Sequence, residues 1–131
     1  MKYLLDTDTC IFWLRGRASV RNKLSAVGVE EIGISVITLA ELRYGASSTS
    51  NRSTHHQNID HLISGLAVVG VSEEVTRTFG DIKAELRERN ELIEDFDLLI
   101  ASIAVTHGLV LVTNNVKHFE RISNLSLENW V

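Results

Sequence analysis

Short apolar runs rich in β-branched residues alternate along this chain with longer amphipathic stretches. Residues 2–6 (KYLLD), EIGISV at 31–36, LAVVGV at 66–71 and LVLVT at 109–113 read as strands. Between them the pattern predicts helices over 8–15, 18–27, 37–46, about 52–66, 72–90 and about 94–107. Ser72 precedes Glu74 and Val75 as an N-cap would, and Gly108 follows the run ending at His107 as a C-terminal cap would. Short strands separated by helices predict an α/β sandwich with a mainly parallel central sheet. In such sheets ligands gather beyond the carboxyl ends of the strands.

Four polar residues interrupt these runs: Asp6 at the end of the first strand, Glu41 in ISVITLAELRYGA, Asp97 in IEDFDLLIASIA and Asn115 in LVLVTNNVKHF. Each has an ordinary explanation when taken alone. Asp6 could cap the helix that follows, as could Thr7 or Asp8. Glu41 could lie on the exposed face of an amphipathic helix, Asp97 could answer the helix dipole, and Asn115 could be a turn residue. Charged residues are almost never buried unpaired, however, and converging acids commonly share a hard divalent cation such as Mg²⁺ or Mn²⁺. If the first strand and LVLVT are parallel neighbours, Asp6 and the Thr113–Asn115 segment face one crevice, with Glu41 and Asp97 near its rim. Asp95, closer to its helix start than Asp97, reads as a cap or a supporting residue.

Composition narrows the class. A chain of 131 residues, 44% hydrophobic and without proline, repeat or linker, suits one compact domain over 1–131. No apolar stretch approaches the roughly 18–20 residues needed to span a bilayer, and no basic-then-apolar leader opens the chain, so a soluble cytoplasmic protein is expected. The single Cys10 has no partner for a disulfide and reads as a small buried apolar residue. The net charge of −4 argues against a protein that coats nucleic acid generically. Residues 1–65 carry seven Lys/Arg against six Asp/Glu and residues 66–131 six against eleven, so the acidic excess lies in the second half. His55, His56 and His61 lack the spacing of a helical metal pair and read as a solvated helix face. Phe12, Trp13 and Leu14, with Leu62, Ile63 and Leu66, read as core or subunit-interface surface. Arg15, Arg17, Arg21, Lys23 and Arg43 read as solvated charges, or as backbone contacts if the substrate is a polyphosphate chain.

LLDTD, ISVITLAELRYGA, IEDFDLLIASIA and LVLVTNNVKHFERI with a following LSLENW resemble, in order and spacing, the PIN-domain ribonuclease toxins of the VapC type. The resemblance spans nearly the whole chain and implies a three-layer α/β/α sandwich. Carried over by position, the family's metal-binding acids fall on Asp6, Glu41 and Asp97 and its fourth site position on Asn115, where relatives often have an acid. Asn there implies a water-mediated role. Asp8 stands where many relatives have Asn, and Thr113 is placed to orient Asp6. The resemblance further implies a Mg²⁺- or Mn²⁺-dependent endoribonuclease acting on structured RNA, neutralised by a VapB-type antitoxin. It also implies a homodimer that meets operator DNA only through that antitoxin.

Two alternatives compete. LLDTDTC approaches the strand-then-DxDx(T/V) motif of haloacid-dehalogenase phosphatases, with Asp6 as nucleophile and Asp8 as acid/base, but places Cys10 at the last position. That reading leaves Glu41 and Asp97 unexplained. A catalytically silent binding module would leave the whole acid set unexplained.

Overall fold

The computed structural model describes residues 1–131. Its order is β1 (Tyr3–Leu5), α1 (Thr7–Leu14), α2 (Ala18–Val27), a 3-10 turn (Val29–Glu31), β2 (Ile32–Ser35), α3 (Val36–Ser47), α4 (Arg52–Ile63) and β3 (Ala67–Val69). Then follow α5 (Glu73–Glu88), α6 (Asp95–His107), β4 (Val110–Val112), α7 (Val116–Phe119) and β5 (Leu127–Glu128).

All five strands form one parallel sheet in the order β3-β2-β1-β4-β5. Parallel strands bury both faces, which explains why YLL, IGIS and VLV are apolar without alternation. Leu4 and Leu111 point to one layer, where they join Val75, Leu86, Leu98, Ile100, Ile103 and Phe119. Tyr3, Leu5 and Val112 point to the other, with Cys10, Val20, Leu24, Leu42 and Ile59. The sheet is thereby sandwiched between α5 and α6 on one side and α1 to α4 on the other, the α/β/α arrangement expected.

The helix ends follow the local chemistry. Ser72 Oγ accepts the Val75 N–H at 3.2 Å and Ser35 Oγ accepts the Thr38 N–H at 2.9 Å. Gly108 closes α6 in the left-handed region (φ 64°), where a Cβ would be strained. Two expectations shorten: the helix expected to reach residue 66 ends at Ile63, and LAVVGV contributes only Ala67–Val69, a half-exposed edge strand. Cys10 is buried, as its isolation suggested, and burial pushes its thiol well above the ordinary range. No helix is long and apolar enough to cross a membrane.

β1 and β4 are adjacent and in register, Leu5 opposite Val112, and the Asp6 N–H donates to the Val112 carbonyl at 3.0 Å. The carboxyl ends of the two central strands therefore open side by side, the position at which a parallel sheet gathers ligands.

Candidate active site

Asp6 is held by the fold more firmly than a surface acid could be. It follows the last residue of β1, is only 6% exposed, and its Oδ1 accepts the Thr9 N–H at 2.9 Å as the N-cap of α1. Thr9, also buried, directs its hydroxyl to the Val112 carbonyl at 3.2 Å, tying α1 to β4. Burial pushes the Asp6 carboxyl above its ordinary pKa, opposed by the Thr113 hydroxyl and by the Thr9 N–H and hydroxyl. Thr113 also accepts the Asn115 N–H at 3.0 Å, so it links Asp6 to the fourth site residue.

Asp6, Asp8, Glu41, Asp97 and Asn115 line one cavity of about 210 Å³. Thr7, Glu94 and Phe119 complete its lining. The four positions singled out by their interruption of apolar runs thus meet, although they come from four separate segments. Glu41 lies midway along α3, and its Oε1 accepts the Thr7 hydroxyl at 2.6 Å. Asp97 occupies the first turn of α6. Its carboxyl is pushed up mainly by burial and further by Glu41, Glu94 and Asp6, while the nearby His118 pulls it down. Asn115 precedes α7 without making a side-chain cap bond, which leaves its amide to the cavity.

Asp95 stands in the first turn of α6, the helix-start position that is one of its two expected readings, and does not line the cavity. It pairs with Lys83 at 2.8 Å, joining α6 to α5 outside the cavity. Glu94 lines the cavity instead, one helical turn before Asp97 and on the same face, a spacing that could have identified it. Thr7 and His118 were also unanticipated. Thr7 adjoins Asp6 in sequence, and His118 follows Asn115 by three residues on α7.

The other candidates resolve into structure. His56 accepts or donates to Ser47 at 2.9 Å and contacts Arg43 at 3.2 Å, and Arg43 pairs with Asp60 at 2.5 Å, so these residues fasten α4 to α3. Arg17 lies over the Phe12 ring at 5.1 Å. Arg15 alone of the basic set lines a cavity that shares Glu41 with the acidic one.

A model of the PIN domain matches residues 3–125. The chain belongs to the PIN-domain family. Ribonuclease VapC2 of Rickettsia felis is 39% identical, covering 99% of this chain and 98% of that protein. The tRNA(fMet)-specific endonuclease VapC of Salmonella typhimurium is 34% identical over 99% and 98%. Among solved structures, VapBC2 from Rickettsia felis bound to a promoter DNA fragment superposes with a TM-score of 0.93 at 38% identity, covering 100% of both chains. DNA-bound VapBC from Salmonella typhimurium gives 0.95 at 34% identity, covering 100% of this chain and 99% of that one. Membership of the PIN family over this span leaves the phosphatase alternative without support.

PIN-domain nucleases use a divalent metal, and the donor set of this PIN domain suits one. Every acid in the cavity offers hard oxygen, without the sulfur or paired imidazoles that a softer ion prefers. The mutual repulsion that pushes Asp97 up is the repulsion a cation relieves. As the side chains stand, no three of them converge into a ligand set.

Proposed function

We infer that this chain is a metal-dependent endoribonuclease and the toxin of a toxin-antitoxin pair, hydrolysing phosphodiester bonds in structured RNA such as tRNA. The single observation that carries the reading is the meeting of Asp6, Asp8, Glu41, Glu94 and Asp97 in one cavity at the carboxyl ends of β1 and β4. It is supported by relatives named VapC ribonucleases over nearly the full length.

Asp6, Glu41 and Asp97 are the residues that would hold Mg²⁺, with Mn²⁺ as its substitute. The ion would lower the pKa of an attacking water and offset charge on the scissile phosphate. The protein contributes positioning. Asp6 is locked by the Thr9 N–H, so its second oxygen keeps one direction. Glu41 has the longest of the three side chains and takes the proton from the attacking water. Asn115, neutral where an acid would add to the repulsion, orients water through its amide. Asp8 and Glu94 on the rim add negative charge that favours the cation.

The same reading makes the chain one cytoplasmic domain over 1–131 that forms a homodimer. Its partner is a VapB-type antitoxin, through which alone it meets operator DNA, as the promoter-bound VapBC structures suggest.

Purified protein is expected to cut structured RNA with Mg²⁺ or Mn²⁺ and to lose cleavage in Asp97→Ala with its fold intact. Normal cleavage by both Asp97→Ala and Asp6→Asn would sink the reading. Induced expression is expected to arrest growth, with relief by the neighbouring small open reading frame. Sequencing RNA 5′ ends after brief induction of wild type and Asp97→Ala would identify the substrate.

A further inference from the structure

His118 occupies an unusual position for a histidine. It sits on α7, immediately after the carboxyl end of β4, and its Nε2 lies 3.4 Å from Asp97 Oδ2. That nitrogen is buried and makes no hydrogen bond, its approach to Asp97 falling outside hydrogen-bond geometry. A buried donor without a partner is costly, so its approach to a carboxylate oxygen requires an explanation.

The ring has little freedom to leave. Phe119, the next residue, is 1% exposed in the core beneath α7 and anchors the short helix. The His118 ring meets the Phe119 ring edge-to-face, with centroids 5.3 Å apart and planes at 87°. The His118 N–H also returns to the Asn115 carbonyl at 3.1 Å, which ties its backbone to the fourth site residue. Asp97 by contrast has no lysine or arginine partner, and three neighbouring acids oppose its charge. The nearby His118 acts in the opposite direction.

We propose that His118 is a positioning residue that donates from Nε2 to Asp97 Oδ2 and so presents Oδ1 to the divalent cation. The contact is to be compared with two others in the same cavity. The Thr9 N–H engages one oxygen of Asp6 and the Thr7 hydroxyl one oxygen of Glu41. Each of the three acids then has one oxygen oriented by a protein donor. Donors behind ligating carboxylates tune metal affinity by about 10- to 100-fold.

The proposal rests on the acidic cavity being the metal site, and the test separates the two. Mn²⁺ binding to the full chain is measured by electron paramagnetic resonance for wild type, His118→Phe, His118→Gln and Asp97→Asn. His118→Phe preserves a ring against Phe119 and removes the donor, while His118→Gln restores an N–H near Nε2. Wild type is expected to bind Mn²⁺, His118→Phe about tenfold or more weakly at an unchanged urea midpoint, and His118→Gln to recover most of the loss. In the Asp97→Asn background, His118→Phe is expected to add no further weakening, because the two changes act on one contact. Wild-type affinity in His118→Phe, or equal weakening in both histidine variants, would overturn the role of His118 while leaving the metal site standing. Absence of Mn²⁺ binding by wild type would overturn both.

Discussion

The Thr7 hydroxyl donates to Glu41 Oε1 across 2.6 Å, joining the first residue of α1 to the middle of α3. Thr7 is itself 3.2 Å from the hydroxyl of Thr38, which is fully buried one turn before Glu41. The pair matters because Glu41 is otherwise a flexible side chain on a half-exposed helix face. A hydroxyl chain rooted in a buried threonine gives it one orientation. Thr7→Val, nearly isosteric but without the donor, is expected to reduce RNA cleavage about tenfold, and Thr7→Ser to retain most of it. Single-turnover cleavage assays decide the matter; equal activity in the Val and Ser variants would show that Glu41 needs no such support.

Asp6 has two roles that separate by substitution. It caps α1 through Thr9, and Asn preserves an oxygen for that bond whereas Ala does not. Asp6→Asn is therefore expected to be more stable than Asp6→Ala by about 1 kcal/mol in urea denaturation, a typical N-cap contribution. Both are expected to lose metal-dependent cleavage. Equal stability of the two variants would show that the cap bond contributes nothing measurable.

The parts of this fold legible in the sequence are those governed by local chemistry. Ser72 and Gly108 mark helix ends because a cap is satisfied within a few residues, and VLV and IGIS betray two-sided burial through their composition alone. The 3-10 turn, α7 and β5 span three, four and two residues, too few to show a period, and β5 exists only because β4 supplies its partner. The site divides in the same way. Asp6, Glu41, Asp97 and Asn115 stand out because each breaks an apolar run. Glu94 and Asp95 are adjacent acids, and the three-residue spacing that sets Glu94 on the face of Asp97 separates it from Asp95, which turns to Lys83. Thr7 and His118 carry no signal of their own, since their importance lies in which carboxylate they approach.

Trp130 shows how the chain end supports the centre of the sheet. Beyond β5 it is 5% exposed, its ring packs edge-on against Tyr3 of β1 at 5.1 Å, and its Nε1 donates to Glu128 at 2.9 Å. Trp130→Ala is expected to lower stability by about 3 kcal/mol, the low end for deleting a buried Trp. Trp130→Phe, which preserves an aromatic contact with Tyr3, is expected to lose less than half of that. Urea denaturation measures both, and an unmoved midpoint in Trp130→Ala would show that this contact is dispensable.

The acids of the cavity make stability depend on pH in a sense opposite to that of ordinary salt-bridged carboxylates. Asp6 and Asp97 have folded-state pKa values above the ordinary carboxylate value of 3.8. In the window between that value and the raised ones, the folded chain holds more protons than the unfolded chain, so their contribution to stability falls as pH rises. Above the window the folded state carries the full burden of these mutually repelling charges, Asp6 buried and Asp97 partly so. Asp97→Asn removes one of them. In metal-free protein at neutral pH it is expected to raise the melting temperature, and the gain should shrink as pH falls toward the ordinary carboxylate range. Adding Mn²⁺ should reverse the order, because binding to the folded state stabilises wild type by mass action and the variant has lost a ligand. Thermal melts with chelator and with Mn²⁺, at several pH values, test both halves. A variant that is no more stable than wild type without metal at neutral pH would show that the cavity tolerates its charges without a cation.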